Sequence, residues 1–106
     1  LEENRRKHER VSLEEWARCV GAAGRERSEQ VLDLSVGGLR LKQSSMFQIF
    51  AKMEVFLPLP GPDGPVLCPV EGVIVWRNQH GMGIKFSELS EETVEKLRQF
   101  IETLEP

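Results

Sequence analysis

Cysteine and histidine are scarce in this chain of 106 residues, which contains two of each. Cys19 and Cys68 lie in separate apolar stretches, and neither has a second cysteine or a histidine at the spacing of metal ligands. We therefore interpret both as small core residues. His8 and His80 are far apart, so they assemble neither a metal site nor a nucleophile with its base. The sequence predicts no enzyme, no metal and no cofactor.

Long hydrophobic runs and an excess of positive charge are also missing. The longest apolar runs, such as Val73 to Trp76, are far shorter than the roughly 20 residues that cross a bilayer, and no signal-peptide pattern precedes them. These absences predict a cytoplasmic protein without a membrane span. The net charge of −3 argues against a domain that binds DNA or RNA through a broad basic face.

The chain consists mainly of short strand-like runs separated by turn residues. Its length suits a single domain over 1–106, and we divide this domain into a basic arm (1–13), a β-rich body (14–88) and a helix (90–104). Two-residue alternation indicates an all-β core. The predicted strands are Trp16 to Val20, Gln30 to Leu34, Leu39 to Lys42, Phe50 to Leu57, Val66 to Trp76 and Met82 to Phe86.

Three segments in the second half of the chain have clear local signals. Pro58 to Pro65 contains four prolines and two glycines, a composition typical of a loop. Val66 to Trp76 is long for one strand and includes a proline and a glycine, which predicts an edge position, a bulge or a bend. Ser90 is a good helix N-cap, and an apolar stripe follows it at helical spacing. The stripe consists of Val94, Leu97, Ile101 and Leu104.

Two motifs stand out from this scaffold. Arg6 and Arg10 form an RxxxR segment before the first strand, and Asp33, Ser35 and Gly38 form a DxSxxG segment at the end of the second. This ordered pair resembles the signature of the PilZ domain family. The resemblance covers nearly the whole chain, since the stretch from Gly72 to Phe86 and the following helix are also similar to the family's C-terminal half.

The resemblance implies both a fold and a function. The expected fold is a six-stranded antiparallel β-barrel with a C-terminal α-helix packed on it. The expected function is that of a bacterial receptor domain, which binds the second messenger cyclic di-GMP and transmits its signal, as in motility or biofilm control, without catalysis. An unidentified protein partner or a fused domain would receive the signal.

The chemistry of the motif residues suits this ligand. A guanidinium group pairs bidentately with phosphate oxygens, and the same fork matches O6 and N7 of guanine. Asp33 can accept hydrogen bonds from guanine N1–H and N2–H₂, or it can hold an arginine in position, and Ser35 can donate to a phosphate or a base. Gly38, which the resemblance assigns to the motif, and the adjacent Gly37 would permit a positive φ and a close approach to a flat base.

Each motif also has a simpler interpretation. An arginine-rich arm is often only a solvated tail, and Asp-Leu-Ser-Val-Gly-Gly is also a plausible turn. The joint occurrence of both motifs favours a site. We interpret Trp76 as a core or barrel-end aromatic and only a marginal contact, and we interpret Arg40 and Arg77 as solvent-facing charges. The predicted cyclic di-GMP-binding residues are Arg5, Arg6, Arg10, Asp33, Ser35, Gly37, Gly38 and Trp76.

Arg5 adds a third guanidinium directly before the RxxxR segment, which predicts two ligand molecules per domain. Four cations within six positions repel one another, so we expect the arm to be mobile until phosphates neutralise it. The main rival hypothesis is a PilZ-like adaptor for motility or exopolysaccharide proteins that needs no nucleotide. A small barrel that binds RNA or DNA is disfavoured by the net charge.

Overall fold

The computed structural model describes residues 10–21, 24–42 and 48–104. Within these ranges the elements are β1 (Val11–Gly21), β2 (Glu26–Ser35), β3 (Gly38–Leu41), β4 (Lys52–Leu59), β5 (Val66–Asn78), β6 (Gly81–Phe86) and α1 (Glu91–Leu104). The six described strands pair antiparallel and close into a barrel in the order β1-β2-β3-β6-β5-β4. The predicted barrel with a C-terminal helix is therefore confirmed.

The core follows from two-residue alternation along the strands. On β4, Met53, Val55 and Leu57 are buried, whereas Lys52 and Glu54 are exposed. Apolar side chains of the other strands meet these residues inside the barrel. Burying such side chains stabilises the fold by about 1.5–3 kcal/mol each. Further members of this core include Cys19, Val31, Leu34, Leu39, Leu41, Val70, Ile74, Met82 and Ile84, and Cys68 packs against it.

One aromatic ring breaks the alternation of β4. Phe56 shares the outer face with the charged residues, and it is half-buried there. Arg18 of β1 is its partner in the sheet register, and the guanidinium carbon lies 4.3 Å from the ring centroid. A cation–π contact of this kind contributes about 0.5–1 kcal/mol at a surface. The stacked arginine therefore explains how an aromatic residue is accommodated on the polar face.

The helix begins at a side-chain cap and packs through one face. The hydroxyl of Ser90 accepts a hydrogen bond from the backbone N–H of Thr93 at 3.1 Å, which satisfies one free donor of the first turn. Leu97, Phe100 and Ile101 are buried, and the helix lies against β1, β2 and β4. Among the described residues, the structure has no helix long and apolar enough to span a membrane.

Several element boundaries differ from the sequence-based prediction, and β2, for example, begins at Glu26 rather than at Gln30. β1 begins at Val11, inside the segment predicted as arm, because Val11 pairs with Leu34 and is buried. β4 continues through Pro58 into the predicted loop, where Pro58 pairs with Leu67 of β5. The β1–β4 register ends at Phe56, so Pro58 is paired on one side only. A missing N–H is tolerated at such a position.

A bulge in β2 changes which face Asp33 occupies. Val31 is opposite Leu41 of β3, whereas Asp33 is opposite Arg40, so β2 uses two residues where β3 uses one. Leu32 is the additional residue. If Leu32 were paired regularly and there were no bulge, two-residue alternation would place Asp33 on the same face as the fully buried Val31. The bulge therefore turns Asp33 to the outside of the barrel.

A second bulge lies in β5, the strand predicted to be at an edge or to contain a bulge or a bend. Ile74 is opposite Ile84 of β6, and Trp76 is opposite the preceding residue, Gly83, so Val75 is the additional residue. Ile74 is fully buried, whereas Trp76 is 37% exposed. The bulge therefore turns the indole to the outer surface. Because the barrel is closed, β5 is not an edge strand.

Candidate functional site

Asp33 and two arginines form the centre of the candidate site. Arg10 Nη1 lies 2.8 Å from Asp33 Oδ1, and Arg40 Nη2 lies 2.9 Å from Asp33 Oδ2. Asp33 is only 8% exposed, whereas the two arginine side chains are 48% and 46% exposed. A buried carboxylate is stable when it is paired, and here each of its oxygens has a guanidinium partner. The group carries a net positive charge, and its donors reach the surface.

Three neighbouring chain segments bring these side chains together. Asp33 lies on β2 between Ser12 of β1 and Arg40 of β3, and it is paired with both in the sheet register. Arg10 immediately precedes β1. The last arginine of the RxxxR segment and the first residue of the DxSxxG segment are therefore in direct contact. The sequence left two roles open for Asp33, which were to accept hydrogen bonds from guanine or to hold an arginine. In this structure Asp33 holds an arginine.

Ser35 closes the turn between β2 and β3. Its hydroxyl accepts a hydrogen bond from the backbone N–H of Gly37 at 3.3 Å and donates one to the backbone oxygen of Gly38 at 3.3 Å. The side chain is buried. Ser35 therefore holds the shape of the turn that follows Asp33, as Ser residues commonly do in tight turns.

Gly38 is required by a close approach of two strands. An added Cβ would collide with the backbone oxygen of Ile84, and it would lie 3.3 Å from the Cα of Lys85 on β6. Neither Gly37 nor Gly38 has a positive φ, so the expectation of that backbone conformation is wrong. The close approach itself is present, but the partner is the neighbouring strand, because β3 and β6 pair directly at Gly38.

Trp76 lies on the same outer surface, beside Arg40. The indole covers Gly83, where an added Cβ would lie 2.7 Å from Trp76 Cδ1. At Gly81, an added Cβ would lie 3.7 Å from Trp76 Cη2 and 3.8 Å from Arg40 Cγ. The indole and the stem of Arg40 thus flank the same backbone position. Trp76 is a surface aromatic with one exposed side, not a core residue.

The structure brings some of the predicted site residues together, whereas others lie outside the described ranges. It pairs Arg10 with Asp33 and places the Ser35–Gly38 turn directly after Asp33. Arg5 and Arg6 lie outside the described residues. Arg40 was predicted to be a solvent-facing charge, but the residue pairs with Asp33. Alternation alone carried no signal for this pair, because the two residues become opposite only through the bulge at Leu32.

Metal-ligating and nucleophilic side chains are the other chemical groups of interest in the described part of the chain. The described residues contain no cluster of three or more His, Cys, Asp or Glu side chains that could hold a metal ion. Burial raises the pKa of the Cys19 thiol to about 12, and the negative charge of Glu29 adds to this rise. The thiol is therefore protonated at neutral pH and is a poor nucleophile.

A comparison of the chain with models of protein families identifies its family. The family model described as PilZ domain matches residues 4–103. The chain belongs to the PilZ family. PilZ domains are receptor domains for cyclic di-GMP rather than enzymes, and they bind this nucleotide as a ligand rather than as a cofactor. The family assignment made from the two motifs is therefore confirmed.

Solved structures of PilZ proteins share the fold at low sequence identity. The PilZ domain of CeSA from a cellulose-synthesizing bacterium superposes with a TM-score of 0.71 at 14% identity, over 89% of this chain and 96% of that one. YcgR from Escherichia coli, in complex with c-di-GMP, gives 0.66 at 19% identity, over 94% of this chain. PlzA from Borreliella burgdorferi, also in complex with c-di-GMP, gives 0.65 at 17% identity, over 93%.

The comparisons also differ in the extent of the match. The PilZ chain described here corresponds to 46% of the YcgR chain and 42% of the PlzA chain, so each of these proteins is more than twice as long as the matched part. No curated protein sequence matches the chain significantly.

Proposed function

We propose that this PilZ domain is a cyclic di-GMP receptor whose binding surface is centred on Asp33. The surface comprises the Asp33–Arg10 pair, the turn that follows Asp33 and the exposed side of Trp76. The arm residues Arg5 and Arg6 complete it from the N-terminal side. The ligand-binding residues are Arg5, Arg6, Arg10, Asp33, Ser35, Gly37, Gly38 and Trp76.

The observation that carries this proposal is the contact between the two motifs. Arg10 and Asp33 are 23 positions apart in the sequence, and their side chains are hydrogen-bonded at 2.8 Å. The carboxylate holds the guanidinium at the barrel surface while nearly half of the arginine side chain remains exposed. A fork held in this way loses little conformational entropy when it binds a phosphate or a guanine.

Titration calorimetry of the isolated domain with cyclic di-GMP tests the proposal. We expect a dissociation constant in the micromolar range or tighter, which corresponds to about −8 kcal/mol or better, and much weaker binding of GTP and GMP. Arg6→Ala and Arg10→Ala should each weaken binding at least tenfold, since a hydrogen bond to a charged group contributes about 1.5–3 kcal/mol. The absence of heat and of a thermal shift at millimolar ligand would refute the proposal and favour the adaptor hypothesis.

The arm is the element that we propose transmits the signal. Arg5, Arg6, Lys7 and Arg10 place four cations within six positions, and the phosphates of the ligand would neutralise their repulsion. The arm would then close over the ligand against the Asp33–Gly38 turn. This closure would change the surface that the domain presents to a partner or to a fused domain.

Stoichiometry and amide exchange test this part of the proposal. Three arm arginines exceed what one cyclic di-GMP contacts easily, whereas two stacked molecules present more phosphates and base faces. We expect two ligands per domain in calorimetry and slower amide exchange at residues 5–10 after ligand addition. Arg5→Ala should lower the ratio from two to one. A ratio of one in the wild-type domain, with unchanged exchange in the arm, would contradict both expectations.

A further inference from the structure

Arg40 lies at the candidate site, and neither motif includes it. It follows Gly38 by two positions on β3, it is opposite Asp33 in the register, and one of its terminal nitrogens contacts Asp33 Oδ2 at 2.9 Å. Its side chain is 46% exposed. A guanidinium has five N–H donors in a planar fork, which is more than a single carboxylate oxygen can accept. The carboxylate therefore orients the fork at the barrel surface.

The neighbours of Arg40 form a place for a flat ligand. Its stem and the Trp76 ring both approach Gly81, which has no side chain to fill the space between them. An oriented fork provides the donors for a planar group, and an adjacent indole provides a stacking surface. Arg10 contacts the other oxygen of Asp33 and immediately precedes β1.

We propose that Arg40 reads the O6 and N7 edge of one guanine of the bound cyclic di-GMP. This inference rests on the proposed function, because it assigns a residue to that ligand. Guanine presents two adjacent acceptors, O6 and N7, and arginine is the side chain whose donor spacing fits both at once. Arg40 is then a specificity-determining residue. The Asp33 carboxylate orients both Arg40 and Arg10.

A cycle of one substitution and one ligand analogue tests the assignment. The ligands are cyclic di-GMP and its analogue in which 7-deazaguanine replaces guanine, so that the N7 acceptor is absent. Calorimetry measures both ligands with the wild-type domain and with Arg40→Ala. We expect the substitution to weaken cyclic di-GMP binding about tenfold. We also expect the wild-type domain to bind the analogue several-fold more weakly than it binds cyclic di-GMP. Arg40→Ala, by contrast, should bind the two ligands with equal affinity.

Arg27→Ala is the matched control for this cycle. Arg27 is also a half-exposed arginine that pairs with a buried carboxylate of β2, Glu29, but it lies six positions from Asp33, about 20 Å along the strand. It should retain the wild-type affinities for both ligands. If the loss of N7 weakens binding equally in the wild type and in Arg40→Ala, Arg40 does not read the base, and the inference is overturned while the proposed function stands. If the wild-type domain binds no cyclic di-GMP, both fail.

Discussion

Asp33→Ala is expected to weaken cyclic di-GMP binding about a hundredfold. The carboxylate holds Arg10 through one oxygen and Arg40 through the other, so its removal releases two guanidinium groups at once. Each charge-assisted hydrogen bond from one of these guanidinium groups to the ligand contributes about 1.5–3 kcal/mol, and each 1.4 kcal/mol corresponds to a factor of ten in affinity. Two contacts at the lower end of this range give the expected factor. Titration calorimetry with cyclic di-GMP measures it directly.

Two further variants separate charge from packing at this position. Asp33→Asn keeps the size of the side chain and one acceptor oxygen but removes the negative charge, so its affinity should lie between those of wild type and Asp33→Ala. Glu29→Gln changes the other paired, buried carboxylate of β2, away from the site, and should leave binding unaltered. The freed arginines are half-exposed and remain hydrated, so thermal unfolding of Asp33→Ala should stay close to wild type. Wild-type affinity in Asp33→Ala would rule out the proposed site.

Gly38→Ala is expected to lower the free energy of unfolding by about 3 kcal/mol, which is the upper end of the usual cost of overpacking. The added methyl group would meet the backbone oxygen of Ile84, its carbonyl carbon at 3.2 Å and the Cα of Lys85 at 3.3 Å. These are backbone atoms of β6, which cannot rotate away as a side chain can. β3 has only four residues, so separating it from β6 disturbs much of its pairing. Urea denaturation measures the loss.

Gly24→Ala provides the comparison for this variant. Gly24 has a φ of +80°, but nothing lies within 4 Å of the position that its Cβ would occupy. Replacing Gly24 by alanine should therefore lower the free energy of unfolding by only about 1–2 kcal/mol, which is the strain of an alanine in a left-handed backbone conformation. If both variants lose the same stability, the close approach of β3 and β6 is not the reason for a glycine at position 38. Because the turn supports Asp33, Gly38→Ala should also weaken ligand binding.

Local patterns predicted much of the fold. Two-residue alternation on β4 identified Met53, Val55 and Leu57 as one face, and the structure buries all three. The signal at Ser90 predicted the beginning of α1, because capping involves only neighbouring residues. The predictions were wrong at Val11 and Pro58, where pairing with a distant strand extends an element beyond its local signal.

The site was only partly predictable from the sequence. Arg10 and Asp33 were found because the two motifs occur in order, and the structure joins them. Arg40 was missed because its contact depends on a register shift at Leu32, and the shift is decided by which apolar residues of β2 enter the core. The reason for Gly38 was also missed, since its constraint comes from β6, more than 40 positions later in the chain.

The bulge in β5 makes the position of Trp76 depend on the strand register rather than on residue type. Replacing Val75 by another side chain keeps the register, so the indole remains outside whichever residue stands there. A slip that paired Val75 with Gly83 would restore strict alternation and direct the Trp76 ring to the side of Ile74, which is the interior of the barrel. A one-residue slip therefore has a severe consequence here that substitutions lack: it would remove the aromatic surface beside Arg40 and overfill the core.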